Sequence, residues 1–140
     1  MTPQAHLYFE DVAVGMTVTT PAMTVTEAHV AIFQGLVREP GEAPGVVPEL
    51  LPLCLAIGLG WRAPAPPLVV LAFMGFEWEF LGPVRVGDTI SSRARVVNTR
   101  ALREGGVVVE EREIFAQTGE VAQRGRFTFL VGRRPKEAAA

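Results

Sequence analysis

Three carboxylates stand close together in the stretch LVREPGEAPGVVPELLPLCL, which runs from Leu36 to Leu55: Glu39, Glu42 and Glu49. A glutamate that loses its water holds its proton to higher pH and can serve as a general acid or base. Glu39 and Glu42 lie in a loop broken by Pro40, Gly41, Pro44 and Gly45, whereas Glu49 lies where the chain turns oily. Pro48 suits the first turn of a helix, where its missing N–H costs nothing. A helix opening here leaves the N–H groups of Glu49 and Leu50 without intrahelical partners. Such groups can hold a carbonyl oxygen as negative charge develops on it. The residue types therefore suggest acid–base chemistry at a carbonyl. The ordinary alternatives are a solvated loop for Glu39 and Glu42, and a charge at a helix's first turn for Glu49.

The other reactive side chains are sparse. His6 falls in the N-terminal arm, and His29 falls early in a first helix, beside its apolar face. Cys54 is the single cysteine; it has no partner at catalytic spacing and reads as a small core residue. Two histidines far apart and one cysteine make no metal set, and there is no glycine-rich phosphate loop.

Periodicity supplies the elements that must position these groups. HLYFEDVAVGMTVTT reads as an arm, a turn and a short strand. In TVTEAHVAIFQGLV, Thr24 or Thr26 can cap a helix whose Val30, Phe33, Leu36 and Val37 share one face. That helix stops before Pro40. PELLPLCLAIGLGW reads as a second helix, apolar all round and therefore buried on most sides. Strands follow. In LVVLAFMGFEWEFL, Phe76, Trp78 and Phe80 alternate with Glu77 and Glu79. In TISSRARVVNTR, Ile90, Ala94 and Val96 face one way while Arg93 and Arg95 face the other. VVVEEREIFAQTGEVAQRGRFTFLV reads as a hairpin turning at residues 117–120, with Phe127, Phe129 and Val131 on one face. Strands joined by short turns are antiparallel neighbours, and an oily helix must bury itself against their inner face. The expected fold is α+β: one curved antiparallel sheet wrapped around a central helix.

The bulk numbers agree. The chain's 140 residues suit one domain, 1–140, with an arm over 1–17 and a tail over 132–140 expected to fray. The formal net charge of −2 gives no electrostatic case for nucleic acid. No apolar run is long enough to span a bilayer, and the N-terminus has no basic-then-oily leader. The expectation is a cytoplasmic protein with no membrane and no metal.

The order and spacing of several motifs carry a resemblance. YFEDVAVGM, TVTEAHVAIFQGL and FLGPVRVGDTI resemble, through nearly the whole chain, the MaoC-like dehydratases, or (R)-specific enoyl-CoA hydratases, of the hotdog fold. The resemblance implies a lyase of fatty acid metabolism acting on acyl-CoA or another acyl thioester. It implies no cofactor, with coenzyme A present only as part of the substrate. It also implies a homodimer, or a heterodimer with another hotdog subunit. The sequence departs from the family where its catalytic pair should stand. Active members carry Gly-Asp, then Asn-Pro, a hydrophobe and His. Here the Asp position falls on Glu39, or in another register on Glu42, and the His position falls near Pro44. The family's Ala-His-Gly-Met at the helix mouth corresponds to VPEL.

Candidate catalytic residues are accordingly Glu39, Glu42, Glu49 and His29, the last being the imidazole best placed in sequence to stand in for the missing partner. Candidate binding residues are Leu50, through its N–H, and Arg85, which fixes a corner or faces the anionic part of coenzyme A. Asp88 caps a turn. The expected function is binding of an acyl thioester, with enoyl-CoA hydration as the family activity. The alternatives are a thioesterase using one carboxylate beside an oxyanion site, and a non-catalytic subunit completed by a catalytic partner.

Overall fold

The computed structural model of the chain describes residues 5–37 and 45–136. An arm containing a 3₁₀ turn at Phe9–Asp11 leads into β1 (Thr17–Thr19), β2 (Met23–Thr24), helix α1 (Glu27–Val37) and helix α2 (Leu51–Gly60). Four long strands complete the order: β3 (Val70–Phe80), β4 (Thr89–Ala101), β5 (Gly105–Phe115) and β6 (Val121–Gly132). The sheet runs β1-β4-β5-β6-β3, with β2 alongside β4 and each of these strand pairs antiparallel. Short turns make β4–β5–β6 a meander. The β5–β6 turn uses Gly119 at a φ of 86°, a left-handed conformation that glycine adopts without strain.

Strand parity sorts the side chains as their alternation predicts. Arg93, Arg95, Glu111, Glu113, Arg124 and Glu79 form a ladder of ion pairs across one face: Arg93–Glu113, Arg95–Glu111 and Arg124–Glu79. Each exposed pair contributes little, but together they make this the wetted face. The opposite face carries Ile90, Val96, Val108, Ile114, Phe127 and Val131, all buried. Against it lies α2, burying Leu51, Pro52, Leu53, Ala56 and Leu59. This is a single hotdog domain, a curved antiparallel sheet around a central helix.

The buried residues fall into two clusters. One gathers Val25, Val47, Leu51, Ala56, Ile90 and Ile114; the other gathers Val96, Val108 and Val131 with Phe9, Val12 and Leu68 packed on.

Several local expectations are corrected. Helix α2 begins at Leu51, not Pro48: residues 48–50 form a turn closed by the Leu51 N–H donating to the Pro48 carbonyl, and Pro52 takes the first-turn position. Nor is α2 buried on most sides. Leu50, Cys54, Ile57 and Trp61, spaced as one helical stripe, are exposed, and Trp61 reaches 73 %. An all-apolar helix does not announce which side the sheet will cover, and the sheet covers only one. Cys54, expected in the core, therefore lies on the surface. In α1, Val30 and Phe33 pack on the core, whereas Leu36 is 78 % exposed. Thr26 is the residue that caps α1, accepting the His29 N–H; Thr24 bonds Thr89 instead.

The arm is pinned to the sheet. Phe9 lies against Gly106, where a Cβ would overlap its ring. Within the segment 132–140, Gly132 ends β6, while Arg133 and Arg134 bond Glu10, Asp11 and the Leu102 carbonyl. The Arg134 backbone N–H holds the Glu10 carboxyl below its ordinary range. Among the described residues no helix is long and apolar enough to cross a membrane.

Candidate functional site

Two turns converge at the mouth of α2. The first approaches it: Gly45, at a φ of 85°, turns the chain so that Val46 bridges Arg85 and Val47 and Pro48 are buried. The second follows β3. The Arg85 N–H donates to Asp88 Oδ2 at 2.8 Å, Gly87 supplies a φ of 97°, and Gln117 Nε2 donates to Asp88 Oδ1 at 3.0 Å. The first of these bonds, followed by that from Gln117, holds the Asp88 carboxyl below its ordinary range. Asp88 is thus the turn residue the sequence suggests.

The convergence encloses a cavity of about 410 Å³ lined by Glu49, Pro52, Phe80, Leu81, Arg85 and Gln123, among others. Glu49 and Arg85, both singled out in the sequence, therefore face one space. No ion pair engages either of them among the described residues. The N–H groups of Glu49 and Leu50 likewise make no hydrogen bond among the described residues. The Leu50 side chain is half exposed and, unlike Glu49, lines neither this cavity nor the one described below.

The mouth is fixed from below by a residue that sequence reasoning did not single out. Gln123 is 2 % exposed. Its Oε1 accepts from Trp78 Nε1 at 2.9 Å, and its Nε2 donates to the Glu49 carbonyl at 2.9 Å. This bond ties the turn that opens α2 to the start of β6. An amide facing the apolar side of a strand was the available signal, since the parity set by Phe127 and Phe129 points Gln123 inward.

The remaining candidates lie elsewhere. His29 sits in the first turn of α1, where its Nδ1 accepts the Thr26 N–H at 3.0 Å; it lines neither this cavity nor the one described next. Glu39 and Glu42 lie outside the described residues. No group of three or more metal-ligating side chains occurs among the described residues.

A second cavity, of about 370 Å³, lies between the C-terminal half of α2 and the inner face of the sheet. Ala56, Ile57 and Trp61 form its helical wall, and Val96, Phe127 and Phe129 lie on its sheet side. Both cavities fall in the range of small-molecule sites.

No protein-family model matches the chain, and no curated protein matches it. Solved structures do. A monoamine oxidase regulatory protein from Archaeoglobus fulgidus superposes with a TM-score of 0.85 at 26 % identity, over 93 % of this chain and 97 % of that one. A MaoC-like dehydratase from Rhodospirillum rubrum gives 0.81 at 22 %, over 93 % and 99 %. An (R)-hydratase from A. caviae involved in PHA biosynthesis gives 0.69 at 22 %, over 90 % and 99 %.

Proposed function

For a chain that is a hotdog domain of the MaoC-like type, we propose that the function is binding of an acyl thioester at the mouth of α2. The observation that carries this is the turn at that mouth, where the Glu49 and Leu50 N–H groups make no hydrogen bond among the described residues and Glu49 shares a cavity with Arg85. Preorganised backbone donors stabilise charge developing on a thioester carbonyl. The Arg85 guanidinium suits the phosphates of coenzyme A, and the oily length of α2 suits an acyl chain. Binding also draws support from the dehydratases and hydratases that share the fold. Hydration of an enoyl thioester requires a base for water and an acid for the α-carbon. Among the described residues Glu49 is the carboxylate that lines this cavity, and no imidazole lines it.

A second activity, hydrolysis of the thioester, is favoured by that same composition. One carboxylate can activate water for attack on a carbonyl held by two N–H groups. The proton passes to the carboxylate and the tetrahedral intermediate expels the coenzyme A thiolate. Calorimetry with crotonyl-CoA and octanoyl-CoA tests binding, and thiol release tests hydrolysis. Binding in the micromolar range is expected, with thiol release lost in Glu49→Gln. No heat with either ligand refutes the proposal, and hydration of crotonyl-CoA that survives Glu49→Gln places the chemistry elsewhere.

We further propose that the working unit contains two hotdog subunits, either two copies of this chain or this chain with another. Strand β3 is a sheet edge, and it exposes Leu71, Phe73, Met74 and Phe76. A long apolar edge strand with unpaired backbone groups is a template for a second strand.

A further inference from the structure

The inner face of the sheet carries two charges that acyl-thioester binding at the α2 mouth does not use. Glu110 and Arg112 share β5 with Val108 and Ile114, and strand parity turns all four inward. Glu110 is 8 % exposed, and the Arg112 side chain 20 %. Arg112 donates from Nε and Nη2 to Glu110 Oε2, at 3.1 and 2.9 Å. Its guanidinium lies over the Phe127 ring, 4.4 Å from the centroid. Both residues, with buried Ser92, line the 370 Å³ cavity.

Stability does not account for the pair. An internal ion pair can be replaced by apolar side chains of similar volume with little loss and often with gain. Here the pair interrupts an apolar face, and the two core clusters lie on either side of it. Nor does the pair exhaust its own hydrogen-bonding capacity. Glu110 Oε1, Arg112 Nη1 and the Ser92 hydroxyl make no hydrogen bond among the described residues. Yet no buried side-chain nitrogen or oxygen among those residues lacks a partner. These three atoms therefore reach open space, and the space their side chains line is the cavity.

We infer that this cavity recognises an apolar chain bearing an uncharged group that both donates and accepts a hydrogen bond, a hydroxyl in the simplest case. The charges of Glu110 and Arg112 cancel. A carboxylate there would face Glu110, an ammonium would face Arg112, and a plain alkyl chain would strand Oε1 and Nη1 without water. A hydroxyl donates to Glu110 Oε1 and accepts from Arg112 Nη1, while the rest of its chain lies along Ile57, Phe73 and Phe129. Helix α2 is about 15 Å long at 1.5 Å per residue, and the cavity lies toward its far end from the Glu49 mouth. Taken with acyl-thioester binding at that mouth, on which this part rests, the ligand is an acyl thioester hydroxylated far from the thioester.

The test is calorimetry on the full chain with saturated acyl-CoAs from eight to twelve carbons, each ending in a methyl, a hydroxyl or a carboxylate. Free 1-octanol and 1-fluorooctane are run alongside. At the best-fitting length the hydroxylated form binds about tenfold more tightly, the worth of one hydrogen bond to a charged group. Glu110→Leu/Arg112→Met removes both charges together, stranding neither, and reverses the preference. Glu110→Gln, with almost the same volume, shifts it toward a terminal carboxylate. Plain acyl-CoAs that bind as well as their hydroxylated forms at every length overturn the inference and leave thioester binding standing. Failure of every acyl-CoA, with 1-octanol still preferred over 1-fluorooctane in the parent and not in the double variant, overturns thioester binding and leaves the inference standing. No binding of any probe overturns both.

Discussion

Replacing Gln123 by Leu should cost the fold about 3 kcal/mol. The side chain is almost wholly buried and makes two hydrogen bonds, from Trp78 Nε1 and to the Glu49 carbonyl. Each neutral bond is worth about 1 kcal/mol net. Where leucine leaves the indole N–H or the carbonyl buried without a partner, the loss for that bond rises from this net worth to about 1–3 kcal/mol. Trp78 is half-buried and Glu49 exposed, so water recovers part of this, while the leucine's own burial returns about 1 kcal/mol. Urea unfolding followed by tryptophan fluorescence is the assay, at one fixed protein concentration so that association does not move the midpoint. With a slope of about 2 kcal/mol per molar urea, the midpoint falls by about 1.5 M. Because Gln123 fixes the turn carrying the Glu49 and Leu50 donors, acyl-CoA affinity falls in the surviving folded protein as well. A midpoint shift under 0.3 M with unchanged affinity would show that the bridge neither stabilises the fold nor positions the mouth.

Gly125→Ala should be among the most damaging small changes, because a Cβ there collides with the Glu77 carbonyl and the Trp78 ring; a loss of about 2–3 kcal/mol, or failure to yield soluble protein, is expected, and a thermal midpoint within 2 °C of the parent would refute it. Asp88→Ala should lose about 1–2 kcal/mol at neutral pH for two hydrogen bonds. The folded-state pKa of Asp88 lies below its ordinary 3.8, so the stabilisation is present above 3.8 and lost as pH falls through the folded value. The gap between parent and variant should close in acid, and a gap independent of pH would refute the role. Met74→Lys/Phe76→Glu on the exposed edge of β3 should convert a sedimenting dimer to monomer at micromolar concentration; a parent that is itself monomeric there refutes the two-subunit unit.

Period-two alternation made the sheet legible from sequence, because charge and oil take turns cleanly in β4. Arg93 and Arg95 against Ile90 and Val96 leave one arrangement, and the structure has it. The corner at Asp88 was legible for the same kind of reason, since a short carboxylate beside a glycine has few conformations to serve. Helix α2 was legible as an element but not by face: uniform oil holds no phase, and Cys54 went to the wrong side. Glu110 and Arg112 were hidden in a run of four charges, Glu110-Glu111-Arg112-Glu113, that reads as a solvated face. Carrying the parity back from Ile114 would have shown that every second one points inward. Arg85 and Glu49 could not be brought together from sequence, because their meeting depends on the bridge between Val46 and Arg85, a long-range pairing that no local pattern encodes.

The tie between the arm and the segment after β6 also bears on how the chain can be cut. Glu10 and Asp11 grip Arg133 and Arg134, so the two extremities of the described domain already lie side by side. A short glycine-serine linker joining them would cross little distance, and the loop closure it adds would cost little entropy. New ends could then be opened at Thr118–Gly119, a tight exposed turn whose backbone bonds are local. Such a circular permutant would keep every sheet neighbour while offering its new ends at the β5–β6 turn to a fused partner.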